Sequence, residues 1–142
     1  MNWQQQTADS HYKTAVAVRD TLRLGHISEA EAGIEELIDA LARSERRALK
    51  SQLVRLMAHV LKWRSQPDGR CRSWSASIRT AREEIADIQR ETPSLTDDVV
   101  RALWSNCFET ARAQAAAEMD RDVAIDELTW DAVFLADYRL SG

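Results

Sequence analysis

Apolar side chains recur every three or four residues over most of this chain, which is the period of an α-helix. The clearest stripe is Leu49, Leu53, Leu56, Val60 and Trp63, at spacings of four, three, four and three. Such a stripe faces one side of a helix and buries it against a neighbour. No segment shows the sustained apolar–polar alternation of a half-buried strand. The pattern therefore predicts an all-α fold.

The stripes divide into about five helices and a short C-terminal one, which predicts a single-domain helical bundle over residues 1–142. Gly25 favours a helix end, because glycine readily takes the left-handed C-cap conformation, and Thr92 is turned away from helix by the proline that follows it. Residues 66–70 have the composition of a turn. The expected helices are about 10–24, from Ser28 to Ser44, 45–65, 73–92, from a cap at Ser94 or Thr96 to Met119, and a short one capped by Thr129.

Three segments are less regular. Residues 1–9 are interpreted as a flexible tail, and residues 120–142 as an acidic C-terminal segment with the short helix. Ser44 is either a break between two helices or a surface residue of one. With a break, the acidic helix before it and the basic helix after it form an antiparallel pair. Ser28 and Glu31 have the spacing of a capping box at the start of the first of these.

Composition narrows the class of protein. The chain has 142 residues, 44% of them apolar and 30% charged, which suits one globular domain with a core of its own. The polar first fifteen residues and the lack of a long apolar run predict a soluble cytoplasmic protein with no membrane partner. Cys71 and Cys107 form no metal or redox motif, and we interpret them as an exposed loop thiol and a core residue.

Charge is unevenly distributed around a net value of −4. Residues 43–82 hold eleven Lys or Arg and two acids, whereas the rest of the chain is strongly acidic. Two interpretations stand. The segment is either a solvated basic helix beside acidic neighbours or a nucleic-acid surface, as in an antitoxin-like regulator. It contains no recognised nucleic-acid-binding motif.

A candidate interaction corner brackets the turn at 66–71. If the helices on either side are antiparallel, Lys62, Trp63, Arg72 and Trp74 converge at one end of the bundle, with His59 one turn before Trp63. An aromatic and basic corner suits a phosphate, an acidic segment or an unpaired base. The alternative is that both Trp residues are core and both cations extend over them.

His59 has two interpretations as well. It is either a metal ligand or proton carrier, or a structural histidine bonded to a carboxylate or to backbone, with Glu35 or Glu36 as candidate partner. The other histidines have no metal-ligand spacing to it. No nucleophile elbow, P-loop, dinucleotide or zinc-protease motif is present. The sequence therefore assigns no catalytic residue, cofactor or metal, and favours a protein that is not an enzyme.

Several short strings occur in a characteristic order along the chain. They are His59-Val60-Leu61-Lys62-Trp63, Gln66-Pro67, Arg72-Ser73-Trp74 and Ile78, with Leu22-Arg23-Leu24-Gly25, Glu35-Glu36, Thr92-Pro93-Ser94-Leu95 and Trp130-Asp131 around them. Together they resemble the bacterial Domain of Unknown Function 29 family from about Tyr12 onward. The resemblance implies a compact helical bacterial protein, common in cyanobacteria, with no assigned activity and no catalytic residues. Thr14 stands where the family usually has Trp, and Ala42 stands near its usual glycine, which favours a straighter junction at Ser44.

The function that these features favour is a non-enzymatic protein–protein interaction or homo-oligomerising domain. The small side chains of residues 111–117 allow another helix to approach closely, either from the same chain or from a second copy. The partner is expected to be a second copy, another protein, or both. Nucleic-acid binding through residues 43–82, and a metal or enzymatic site around His59, are the alternatives.

Overall fold

The computed structural model describes residues 2–140, and its fold is all-α, as predicted. These residues contain no strand. Contacts divide the chain into two compact units, the first ending at Arg47 and the second beginning at Ala48. The helices are α1 (Trp3–Asp9), α2 (His11–Arg23), α3 (Ile27–Ser65), α4 (Arg72–Glu91) and α5 (Asp97–Met119), with one 3₁₀ turn (Pro67–Gly69) and one π-helical turn (Asp131–Leu135).

The prediction of a flexible tail is wrong for residues 3–9, which form α1. The Asn2 side chain accepts a hydrogen bond from the Gln5 amide at 3.1 Å and caps the helix. Trp3 and Thr7 are buried. The physical reason is that Trp3 packs with Val18 and Ala30 in the small core of the first unit. Met1 lies outside the described residues.

Two short-range signals set the bounds of α2. Ser10 is extended and accepts a hydrogen bond from the Lys13 amide at 3.1 Å, so it ends α1 and caps α2. Gly25 has a φ of 83°, the left-handed conformation expected of it. The Gly25 amide donates to the Leu22 carbonyl oxygen, and the His26 amide donates to that of Thr21. The predicted helix over about 10–24 is confirmed.

Helix α3 runs without interruption through Ser44, so the continuous alternative is correct and the antiparallel pair is wrong. Residues 34–65 contain no glycine or proline, and Ala42 keeps a strong helix former at the junction. The helix begins at Ile27, which places Ser28 inside its first turn. The predicted capping box at Ser28 is therefore wrong by its position.

The first unit has a thin core. Gly33 lies where the side chains of Val18 and Trp3 come close to the backbone of α3. A Cβ atom built on it would be 2.7 Å from Val18 Cγ2 and 2.9 Å from the Trp3 ring. Buried alanines on the same helix, Ala30 and Ala40, likewise present little side chain. Close approach of the backbones thus takes the place of large interlocking side chains in this unit.

The second unit has an extensive core in which α3, α4, α5 and the C-terminal segment all take part. Ala111 and Ala115 are fully buried within this core, so the small face of α5 receives other parts of the same chain. Cys107 is buried there too, as predicted. Large or central members include Leu49, Leu53, Leu56, Val60, Ile78, Ile85, Val100, Leu103, Val123, Leu128 and Val133.

Local chemistry explains the remaining helix ends. Helix α4 stops at Glu91, before the Thr92-Pro93 pair. The Thr96 hydroxyl accepts a hydrogen bond from the Val99 amide, which selects Thr96 over Ser94 as the cap of α5. That helix ends at Met119, where Asp120 adopts a left-handed conformation. The Thr129 hydroxyl accepts a hydrogen bond from the Ala132 amide at 3.1 Å, so Thr129 caps the start of the last short helical segment, as predicted.

Candidate functional site

The predicted corner contains a buried cation. Lys62 lies on α3 and only 7% of its surface is exposed. Its ammonium group donates to a carboxylate oxygen of Glu118 on α5 and lies 5.7 Å from the centre of the Trp74 ring. The hydrogen bond from Lys62 lowers the pKa of the Glu118 carboxyl. Lys62 and Trp74 therefore do meet, around an acid that the prediction did not include.

Trp63 occupies a separate part of this region. It is buried, with the Arg70 guanidinium 5.1 Å from its ring centre and the Tyr138 ring edge-on at 6.0 Å. Arg70 also donates from Nε to the Trp63 carbonyl oxygen at 2.8 Å. The arginine next to this tryptophan is thus Arg70, whereas Arg72 is exposed at the start of α4. The core interpretation holds for Trp63.

His59 is half-buried and bonds to its own helix. Its Nδ1 donates to the Arg55 carbonyl oxygen at 2.9 Å. Burial lowers the pKa of the imidazole, the Arg55 hydrogen bond opposes that effect, and nearby Lys62 lowers the pKa further. The geometry is that of a histidine bonded to the backbone of its own helix. Among residues 2–140, no group of three His, Cys, Asp or Glu side chains is placed to hold a metal ion.

The predicted pairing of His59 with Glu35 or Glu36 is wrong. All three residues belong to the continuous helix α3, and the two acids precede His59 by about six and a half turns. The pairing depended on an antiparallel helix pair that does not form.

Cys71 lies in the loop, as predicted, directly before the first turn of α4, but it is not fully exposed. It is partly buried, and its sulfur lies 3.2 Å from the Ser73 hydroxyl. This contact and the Trp74 amide lower the pKa of the thiol.

Sequence reasoning missed Glu118, Arg70 and Tyr138. Glu118 is 56 residues from Lys62, and no local pattern connects them. Arg70 was visible as a cation in the turn, but its contact with Trp63 depends on how the 3₁₀ turn folds back. Tyr138 reaches Trp63 from the C-terminal segment, and no local pattern connects these two residues either.

The C-terminal segment is fastened to α4 by polar side chains. Arg82 donates to the carbonyl oxygens of Val133 at 2.9 Å and Ala136 at 2.8 Å, and the Ser75 hydroxyl donates to that of Tyr138 at 2.6 Å. A groove of about 450 Å³ lies beside these bonds. Because Arg82 and Ser75 already bind backbone, we assign them a structural role.

The basic region 43–82 is divided between the two compact units. Arg43, Arg46 and Arg47 belong to the first, and the other cations to the second. Within the second unit, Lys62, Arg70 and Arg82 make the internal contacts described above. Nucleic-acid binding through this region stays a prediction.

An exposed apolar ridge follows the first half of α3. We define the α3 ridge as Ile27, Ile34, Ile38 and Leu41, whose spacings of seven, four and three place them on one face of the helix. Their exposed fractions are between 41% and 60%. Helical spacing predicts that these residues share one face of the helix, but it does not say whether the face is buried, and within residues 2–140 these side chains are exposed.

The sequence model of the family described as Domain of unknown function DUF29 matches residues 3–131. The chain therefore belongs to this family. A search of the curated proteins and a search of the solved structures each found no match. Within residues 2–140, none of the helices combines the length and apolar character needed to cross a membrane.

Proposed function

We propose that this protein is a non-enzymatic interaction domain whose α3 ridge binds an amphipathic helix with basic flanks on another protein. The observation that supports this most directly is where apolar surface is exposed. Seven of the nine exposed large apolar residues found among residues 2–140 lie between Tyr12 and Leu41, four of them on the ridge. An exposed apolar stripe rimmed by polar residues is typical of a protein interaction site.

The ridge has the pattern that helix recognition requires. Residues three, four and seven positions apart on one helix face are the anchors with which helices pack together. The entropic cost of ordering this surface on binding is small, because the side chains project from a continuous helix. The ridge is therefore a preformed surface for a second helix.

Charge along the ridge specifies the chemistry of the partner. Glu31 and Glu35 are exposed one turn from ridge residues, and residues 27–42 contain five acids and no base. A partner helix with Lys or Arg beside its apolar stripe would place opposite charges at the edge of the contact, which favours correct pairing and fast association. Two copies of the ridge would instead bring acids together, so we favour a different protein over a second copy. The proposed setting remains the bacterial cytoplasm.

The proposal is tested with the full chain and two synthetic amphipathic peptides. One has a leucine face flanked by Lys, and the other has the same leucines flanked by Glu. We expect calorimetry to show binding of the Lys peptide alone. Ile38→Ser should weaken that binding about tenfold, because a buried apolar side chain contributes about 1.5–3 kcal/mol. Leu135→Ser is the matched control, since Leu135 is exposed but lies in the second unit.

A charge-swapped variant sharpens the test. Glu31→Lys combined with Glu35→Lys should reduce binding of the Lys peptide and raise binding of the Glu peptide. Equal binding of both peptides, or the same loss in Leu135→Ser, would contradict the proposal. Light scattering that shows a concentration-dependent dimer dispersed by Ile38→Ser would also contradict it, and would assign the ridge to a second copy.

A further inference from the structure

A polar cleft in the first unit, away from the α3 ridge, is lined by basic side chains and by no acid. It has a volume of about 320 Å³ and lies where the junction of α1 and α2 faces α3. We define it as the α1–α3 cleft, lined by Gln4, Thr7, His11, Arg43, Ser44 and Arg47 together with two alanines. This volume is at the lower end of the range of small-molecule sites.

Two arginines supply the charge of the cleft. Arg43 and Arg47 are one turn apart on α3, so their guanidinium groups lie on neighbouring parts of the same face. Neither has an ion-pair partner within the described part of the chain. Asp39, one turn before Arg43, does not line the cleft. The two cations are thus available to an anion that enters from solvent.

The opposite wall adds donors. His11 begins α2, a helix of thirteen residues, so the positive end of the helix dipole lies at the cleft. Among residues 2–140, the His11 ring has no hydrogen-bond partner, and it faces the same cavity as the arginines. Thr7 contributes no donor because its hydroxyl bonds to the carbonyl oxygens of Trp3 and Gln4, each at 3.0 Å.

From this arrangement we infer that the α1–α3 cleft binds the phosphate group of a small phosphate monoester. Guanidinium forks match the spacing of phosphate oxygens and bind them through paired, charge-assisted hydrogen bonds. Three donor groups on two walls suit a tetrahedral dianion better than a planar carboxylate. The cleft is also larger than a free phosphate needs, which leaves room for the organic part of an ester. The inference uses different residues from the proposed function and is independent of it.

Titration of the full chain tests the inference. The probes are glycerol phosphate, adenosine monophosphate, inorganic phosphate, acetate and vesicles that contain phosphatidic acid, and binding is measured by calorimetry and by thermal unfolding. We expect at least one ester to bind more tightly than phosphate and to raise the unfolding temperature. Acetate should have no effect on the unfolding temperature. Arg43→Gln and Arg47→Gln should each weaken ester binding about tenfold.

Arg46→Gln is the matched control. Arg46 lies on the same helix between Arg43 and Arg47, and its substitution removes the same charge, but Arg46 does not line the cleft. Retained binding in this variant and loss in the other two would support a defined site. Circular dichroism checks that all three variants keep their helix content, which glutamine favours.

Four results would overturn the inference. They are no ester binding at concentrations up to about 10 mM, equal weakening by Arg46→Gln, binding of inorganic phosphate alone, and binding only to vesicles that contain phosphatidic acid. The last two would assign the cleft to a free ion or to a lipid headgroup.

Discussion

The two compact units of this chain are stabilised in different ways. The second unit, from Ala48 onward, encloses large aliphatic side chains from three helices and the C-terminal segment. The first unit, which ends at Arg47, has a small hydrophobic cluster of Trp3, Val18 and Ala30 with Ala17 against it, and its other buried residues include Thr7 and Ala40. It also carries most of the exposed large apolar residues. The difference is that the second unit holds most of the buried apolar core, whereas the first unit exposes more apolar surface, and it is on this surface that we propose binding.

The largest expected effect falls in the core of the second unit. Leu53→Ala removes a fully buried side chain and should lower the free energy of unfolding by about 2–5 kcal/mol, measured by denaturant titration. Ser51→Ala, two positions away and exposed, serves as control and should change it by less than about 0.5 kcal/mol. A Leu53→Ala loss as small as that of the control would break the comparison between the units.

A smaller effect is expected in the thin core of the first unit. In Gly33→Ala the new methyl group collides with Val18 and Trp3, neither of which can move aside freely. Overpacking should exceed the gain in helix propensity and leave a net destabilisation of about 1–2 kcal/mol. Hydrogen exchange should show the change in α1 and α2. Ser28→Ala on the exposed part of α3 tests propensity alone, and similar behaviour of both variants would argue against close packing.

The ion pair of buried Lys62 with half-exposed Glu118 should respond asymmetrically. Glu118→Ala leaves the Lys62 ammonium buried without its partner and should destabilise the fold by about 1 kcal/mol. Lys62→Met should be close to neutral, because methionine fills the same space and the half-exposed Glu118 regains water. The double variant should match Lys62→Met. Denaturant titration of all three would reject this account if Lys62→Met were the more damaging change.

The smallest effect concerns acid sensitivity. Burial lowers the pKa of His59 below 6.5 in the folded chain, so the unfolded chain takes up this proton first as the pH falls. Stability should therefore decline as the pH drops below 6.5, through the folded pKa. His59→Gln should flatten this decline in unfolding measurements made across that range. An unchanged slope in the variant would show that His59 is not buried as described.

Local signals in the sequence determined much of the fold. Gly25, the turn at residues 66–70 and the caps at Thr96 and Thr129 predicted helix ends that the structure contains within one or two residues. Such signals succeed because backbone conformation and capping depend on neighbours in sequence. The family was also identified from short strings in order, and its match to residues 3–131 confirms it.

Tertiary structure decided what periodicity could not. An apolar stripe predicts that a helix has an apolar face, but it does not say whether anything covers that face. The chain buries Leu53 and leaves Ile38 half-exposed, although both repeat at helical spacing. Trp3 likewise became core only because α2 and α3 offer it a surface. Packing between helices brings Lys62 close to Glu118 and places His11 and Arg43 in one cleft. These residues are far apart along the chain, so no local sequence pattern predicts their contact.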